Sequence, residues 1–152
     1  MPQFSSKRRV RHAAADMFDL VADVDKYPLF VPLCSALRVR SRTPKDDTTV
    51  IVAEMTVAYK MIRQTFTSRV TLDRQHSKIL VEYLNGPFSR LQNRWTFKSL
   101  SETSCEVEFF IDYEFRSRTL ALLMGAMFDT AFRKFAVAFE QRADKVYGRK
   151  TA

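Results

Sequence analysis

The chain has 152 residues, the length of one ordinary domain, with 46% hydrophobic residues, 13 Phe, three Gly and five Pro. Such a composition excludes a disordered or fibrous chain and supplies a core that needs no staples. Twenty-five basic against 17 acidic residues leave a net charge of +8, a surface suited to anionic partners: membrane headgroups, RNA or an acidic protein.

Met1–Arg11 has no apolar core region, so no secretory signal is expected. Phe4–Arg11 reads as a short, charged first strand. Ala14–Val24 has helical spacing, with Phe18, Leu20, Val21 and Val24 apolar, and Asp25-Lys26-Tyr27-Pro28 ends that helix because the residue before proline avoids the helical region. Tyr27–Cys34 (YPLFVPLC) is apolar and carries two prolines. It suits a short helix or turn that packs onto something or lines something.

From Ser35 to Arg116 the dominant period is two. Ile62, Gln64, Phe66, Ser68, Val70 and Leu72 fall on one side of a strand and Arg63, Thr65, Thr67, Arg69 and Thr71 on the other, the pattern of a half-buried antiparallel strand. Similar strands are expected at about 36–42, 48–59, 78–84, 90–100 and 104–116. Turn signals lie at Pro44–Asp47, Asp73–Ser77 and Asn85-Gly86-Pro87. Arg38, Arg40 and Arg42 alternate, and Arg63 and Arg69 are six apart, so each set is expected to share one strand face. Glu106 and Glu108 lie opposite Val107, Phe109 and Ile111 and should face solvent.

After Ser117, a candidate N-cap, the period becomes 3.6. Leu120, Met124, Met127, Phe128, Ala131, Phe132, Phe135 and Phe139 form one wide apolar stripe. The helix spans 118–147, about 45 Å at 1.5 Å per residue. Gly125 inside it costs about 1 kcal/mol relative to alanine, for which room for a ligand or a close helix–sheet approach are the two expected reasons. The longest nearly uncharged apolar run, Leu120–Phe128, is far short of the roughly 20 residues that span a bilayer. A strand, helices, six strands and a long helix make an α+β chain in which an antiparallel sheet wraps the last helix. The expected location is the cytoplasm or the periphery of the inner membrane.

Little here signals catalysis. His12 and His76 sit among charged residues and read as surface histidines. There is no G-x-S-x-G elbow, no triad, no Gly-rich phosphate loop and no H-E-x-x-H. Asp23 and Asp25 read as a helix end. Cys34 and Cys105 have no metal or redox spacing and read as free thiols. In register with the inward apolar residues, however, lie Gln64, Tyr83, Asn93, Trp95 and Tyr113, and a few polar groups in an apolar cavity are what a small-molecule site looks like.

The segments DVDKYPLFVPLC (Asp23–Cys34), GPFSRLQNRWTF (Gly86–Phe97) and EFFIDYEFRS (Glu108–Ser117) resemble the coenzyme Q-binding protein family of the START-like polyketide cyclase/dehydrase superfamily. The resemblance runs from about Ser6 to Gly148 in the expected order. It departs at Leu33, where members commonly carry tryptophan, and so removes an aromatic wall from the cavity mouth. The resemblance implies a single START-like lipid-binding domain over 1–152. Its helix-grip fold would have a curved antiparallel sheet of about seven strands round the C-terminal helix, with an internal hydrophobic cavity.

Three functions follow as expectations. The first is a carrier of ubiquinone or another prenylated lipid, without catalytic residues, metal or cofactor, supporting quinone synthesis and respiration. Tyr27, Phe30, Val31 and Pro32 would form the lid; Phe66, Trp95, Ile111 and Tyr113 the sheet wall; Met124, Met127 and Phe128 the helix wall. Methionine suits a wall that adapts to a flexible tail, and basic residues would hold the mouth against anionic lipid. The second is the role of the family's ribosome-association toxins, binding the large subunit and blocking subunit association. The third, a polyketide cyclase or dehydratase, needs an acid or base in the cavity, for which Tyr83 and Tyr113 are the candidates. Substrates of these classes are told apart by the site and not by the fold.

Overall fold

The computed structural model describes residues 3–148. β1 (Gln3–Val10) leads into α1 (Ala14–Ala22) and a 3-10 helix (Val24–Leu29). Then come β2 (Cys34–Lys45), β3 (Thr48–Tyr59), β4 (Ile62–Asp73), β5 (Lys78–Asn85), β6 (Phe88–Ser101), β7 (Ser104–Phe115) and α2 (Arg118–Tyr147). One antiparallel seven-stranded sheet has the order β1-β7-β6-β5-β4-β3-β2. It curves round α2 in the expected helix-grip arrangement.

Period-two patterning sets the two sheet faces. In β7, Cys105, Val107, Phe109, Ile111, Tyr113 and Phe115 are buried, while the intervening acids point outward. Lys7 pairs with Glu108, and Arg90 with Asp112 and Glu114, so neighbouring cations offset a row of like charges. The Ser117 hydroxyl accepts the Leu120 N–H and caps α2 as its position predicts. Met124, Phe128, Ala131, Phe132, Phe139 and Ala143 form the buried stripe of that helix. Gly86 has φ +145°, and a Cβ there would sit 2.5 Å from Phe66 Cβ; only glycine lets the β5–β6 turn pass so close to β4.

The structure corrects three sequence readings and gives one connection its form. His12 is 0% exposed: β1 parity carries it inward after Val10, and its Nε2 lies 2.7 Å from Asp144 Oδ1 on the last turns of α2. Arg42 does not share a face with Arg38 and Arg40, because a register shift between Val39 and Ser41 turns it over. It then pairs with Asp25 of the 3-10 helix at 3.3 Å. The β3–β4 connection is a two-residue turn at Lys60-Met61, with Lys60 at φ 55°, although neither residue is a usual turn former. Gly125 serves no close approach and does not border the cavity between sheet and helix, since a Cβ there would meet nothing within 4 Å. Gly125→Ala should therefore stabilise the protein by about 0.5–1 kcal/mol, read as a higher urea midpoint. A lower midpoint would mean that the backbone there needs glycine.

The C-terminal half of α2 is tied down on one side. Besides His12–Asp144, Arg8 pairs with Glu140, and the Tyr147 hydroxyl donates to the Asp16 carbonyl at 3.2 Å. His76, by contrast, is exposed and lies against Asp73, as a surface histidine should.

Candidate functional site

Between the concave sheet and α2 lies an apolar cavity of about 90 Å³. The strand parity that builds the core also builds its walls. Leu37, Ala53, Met55 and Val57 come from β2 and β3, and Phe66, Ser68, Val70 and Val81 from β4 and β5. Leu91, Asn93, Trp95 and Ile111 come from β6 and β7, and Phe128, Ala131, Phe132, Phe135 and Phe139 from α2. Val24, Tyr27, Pro32 and Leu33 close it on the side of the 3-10 helix.

The expected site residues divide along this boundary. Tyr27, Pro32, Phe66, Trp95, Ile111 and Phe128 border the cavity. Phe30 does not; its ring packs edge-on at 4.9 Å against Phe139 and braces the lid from behind. Val31 is buried, with its N–H on the Tyr27 carbonyl at 2.8 Å. Tyr113 points inward but meets Phe88, Phe115, Phe128 and Phe132 at the end of β7, so that aromatic cluster stands between it and the cavity. Met124 is fully buried one turn before Phe128, and Met127 is half-buried; neither borders the space. The β2–β3 wall carried a readable signal, since Ala53, Met55 and Val57 alternate in one strand.

Three of the polar groups in this region are committed to the protein itself. Asn93 donates to the Phe110 carbonyl at 2.8 Å and accepts from Trp95 Nε1 at 3.1 Å, which fixes the indole in the wall. Tyr27 donates its hydroxyl to the Val21 carbonyl, and burial pushes its pKa up. Tyr83 lies off the cavity and accepts the Phe88 N–H at 3.0 Å. Ser68 differs: its Oγ is buried in the cavity wall with no hydrogen-bond partner among the described residues. A buried hydroxyl without a partner costs about 1–3 kcal/mol, and Ser68 borders the cavity between sheet and helix.

Acid–base chemistry finds little purchase. No Asp, Glu, His, Lys, Arg or Cys borders the cavity among the described residues. Tyr113, raised to about 12 mainly by burial with Asp129 adding to it, sits outside. Burial also pushes the Cys34 and Cys105 thiols up to about 11, so both stay protonated at neutral pH and are poor nucleophiles. The described residues contain no cluster of His, Cys, Asp and Glu suited to a metal ion.

The profile of the family described as polyketide cyclase / dehydrase and lipid transport matches residues 10–140. The chain belongs to that family. Its relatives include the ribosome association toxin RatA of Escherichia coli K12, 37% identical over 147 residues, covering 97% of this chain and 90% of the relative. They also include the mitochondrial coenzyme Q-binding protein COQ10 homolog B of Xenopus laevis, 27% identical over 97% of this chain and 60% of that protein. Among solved structures, the 18 kDa protein CC1736 from Caulobacter crescentus is 32% identical, with a TM-score of 0.78 over 97% of this chain and 99% of the other. The family thus carries two descriptions, one of lipid binding and one of ribosome association, on the same fold.

Proposed function

We propose that the protein binds a prenylated quinone, ubiquinone by preference, between the sheet and α2, and carries it without transforming it. The observation that carries this reading is an apolar cavity whose one unpartnered polar group is the Ser68 hydroxyl. A hydroxyl in an apolar wall can donate to a quinone carbonyl, while the aromatic walls bury the ring and the first isoprene units. The name of the COQ10 homolog agrees with this chemistry.

Size sets a condition. A dry cavity of roughly 150 Å³ is what admits benzene in an engineered protein; about 90 Å³ is too little for a quinone ring with a tail. Binding therefore requires the lid to move. Leu33, on the cavity wall at φ 67°, holds a conformation that costs a bulky residue roughly 1–2 kcal/mol, and lid opening can release that strain.

Organic extraction of the purified protein followed by mass spectrometry tests the reading: near-stoichiometric prenylquinone supports it, and a protein free of quinones and other lipids overturns it. Ser68→Ala gives a sharper version. Losing the orphan hydroxyl should leave stability unchanged or raised, while quinone affinity falls about 3- to 10-fold for one hydrogen bond of roughly 0.5–1.5 kcal/mol. Titrating quinone into the stripped variant reads the affinity, and equal affinities would remove Ser68 from the site.

A second reading, association with the large ribosomal subunit, is favoured by the 37% identity to a protein named for that role and by the net charge of +8. The convex sheet face would supply the contact, since Arg38, Arg40, Arg63 and Arg69 all point outward there. Overexpression should then shift ribosome profiles towards free subunits, and unaltered sucrose-gradient profiles would remove this reading. We place the protein in the cytoplasm or at the inner-membrane surface; among the described residues no helix is long and apolar enough to cross a membrane.

A further inference from the structure

The two ends of the sheet differ in charge. The β2–β3 turn carries Asp46 and Asp47, the β4–β5 turn begins at Asp73, and the β6–β7 turn carries Glu102. At the opposite end lie the β3–β4 turn, the β5–β6 turn, the β7–α2 junction and the chain entering β2. Glu114 and Asp129 border this end, but an arginine pairs with each, Arg90 with Glu114 and Arg133 with Asp129. Lys60, Arg63, Arg116 and Arg118 are exposed there.

Large apolar side chains are exposed at the same end. Met61, at the tip of the β3–β4 turn, is 98% exposed, Leu122 86% and Leu123 58%. Their elements are held together locally. The Arg116 N–H donates to the Pro87 carbonyl at 2.8 Å, Gly86 abuts Phe66 of β4, and the Ala58 N–H donates to the Leu33 carbonyl at 3.0 Å. Leu33, the last residue of the cavity lid, reaches this rim. Protruding apolar groups set among four cations that pair with no carboxylate among the described residues complement one kind of surface. Phosphates at a bilayer surface attract the cations, and the acyl boundary just beneath receives the apolar side chains. An RNA surface would use the cations and leave Met61 and Leu122 in water.

We propose that this cation-rich end docks onto an anionic lipid bilayer, with Met61, Leu122 and Leu123 entering the interface and Lys60, Arg63, Arg116 and Arg118 against the phosphates. The docking deepens the carrier reading, because it would place the Leu33 end of the cavity lid at the membrane, but it is measured without any quinone.

The test is co-sedimentation of the full chain with quinone-free vesicles of phosphatidylglycerol and phosphatidylcholine, beside vesicles of phosphatidylcholine alone. Binding is expected to the anionic vesicles and to be much weaker on the neutral ones. The double variant Lys60→Ala/Arg63→Ala should bind the anionic vesicles roughly 30-fold more weakly, at about 1 kcal/mol per near-surface cation. Met61→Asp and Leu122→Asp change side chains already in water, so both variants should fold, and each should weaken vesicle binding about tenfold or more. Vesicle binding indifferent to the two Asp substitutions overturns the proposal. So does a protein that ignores vesicles but binds RNA with a steep salt dependence, and so does a rim whose substitution changes the oligomeric state in light scattering instead of vesicle binding. Quinone recovered from a protein that fails to bind vesicles would leave the carrier reading standing without the docking. Vesicle binding by a protein that takes up no quinone would do the reverse.

Discussion

Ala53→Leu should leave the protein folded and strip it of quinone. Ala53 is buried on β3 and borders the cavity opposite α2, where a leucine side chain would occupy much of the 90 Å³ of free space. In a close-packed core added methylenes typically cost about 1–3 kcal/mol through displaced neighbours, but here they enter a void and recover dispersion contacts that the void forfeits. Stability should therefore change by less than about 1 kcal/mol, while a ligand competing for the same space loses at least about tenfold in affinity. Thermal unfolding of the stripped protein and mass spectrometry of extracted lipid read the two effects separately. Undiminished quinone in a well-folded Ala53→Leu protein would place the ligand outside this cavity.

The second large effect concerns the fold. Phe88 is 0% exposed, and its ring lies 5.4 Å from Phe66, 5.7 Å from Tyr83, 6.1 Å from Tyr113, 4.9 Å from Phe115 and 5.8 Å from Phe128. It thereby joins β4, β5, β7 and α2 at the end where the helix begins. Phe88→Ala should cost about 3–5 kcal/mol, a large share of the roughly 5–15 kcal/mol that holds a domain folded. The melting temperature should fall by about 10 °C or more. A loss under about 1 kcal/mol would mean that the aromatic cluster collapses into the gap.

The sheet and the last helix were legible because their residues obey one period throughout. In β7 every second side chain is buried, and the α2 stripe repeats at helical spacing after a serine cap. What escaped was whatever breaks a period without changing composition. The shift between Val39 and Ser41 leaves the Arg38-Arg40-Arg42 alternation intact in the sequence while turning the last arginine to the other face. His12 was misjudged by its charged neighbours, although its parity with Val10 pointed inward. At the site, periodicity told which side chains face inward but not how far along each strand the cavity extends. Trp95 and Ile111 border it, whereas Tyr113, two residues beyond Ile111, is lost in the aromatic cluster. On α2 the boundary falls between Met124 and Phe128, one turn apart on the same stripe.

The lid has a kinetic meaning. Tyr27 and Phe30 both pack edge-on against Phe139, at 5.4 and 4.9 Å, and the Tyr27 hydroxyl is held by the Val21 carbonyl. Anything that passes Tyr27 and Leu33 must break these contacts together. Under the proposed carrier reading, the opening frequency of the protein would then set the pace of release. Quinones with tails of different length would leave at one rate and differ in affinity only through uptake, and a loaded carrier would keep its cargo in water until something loosens that aromatic latch.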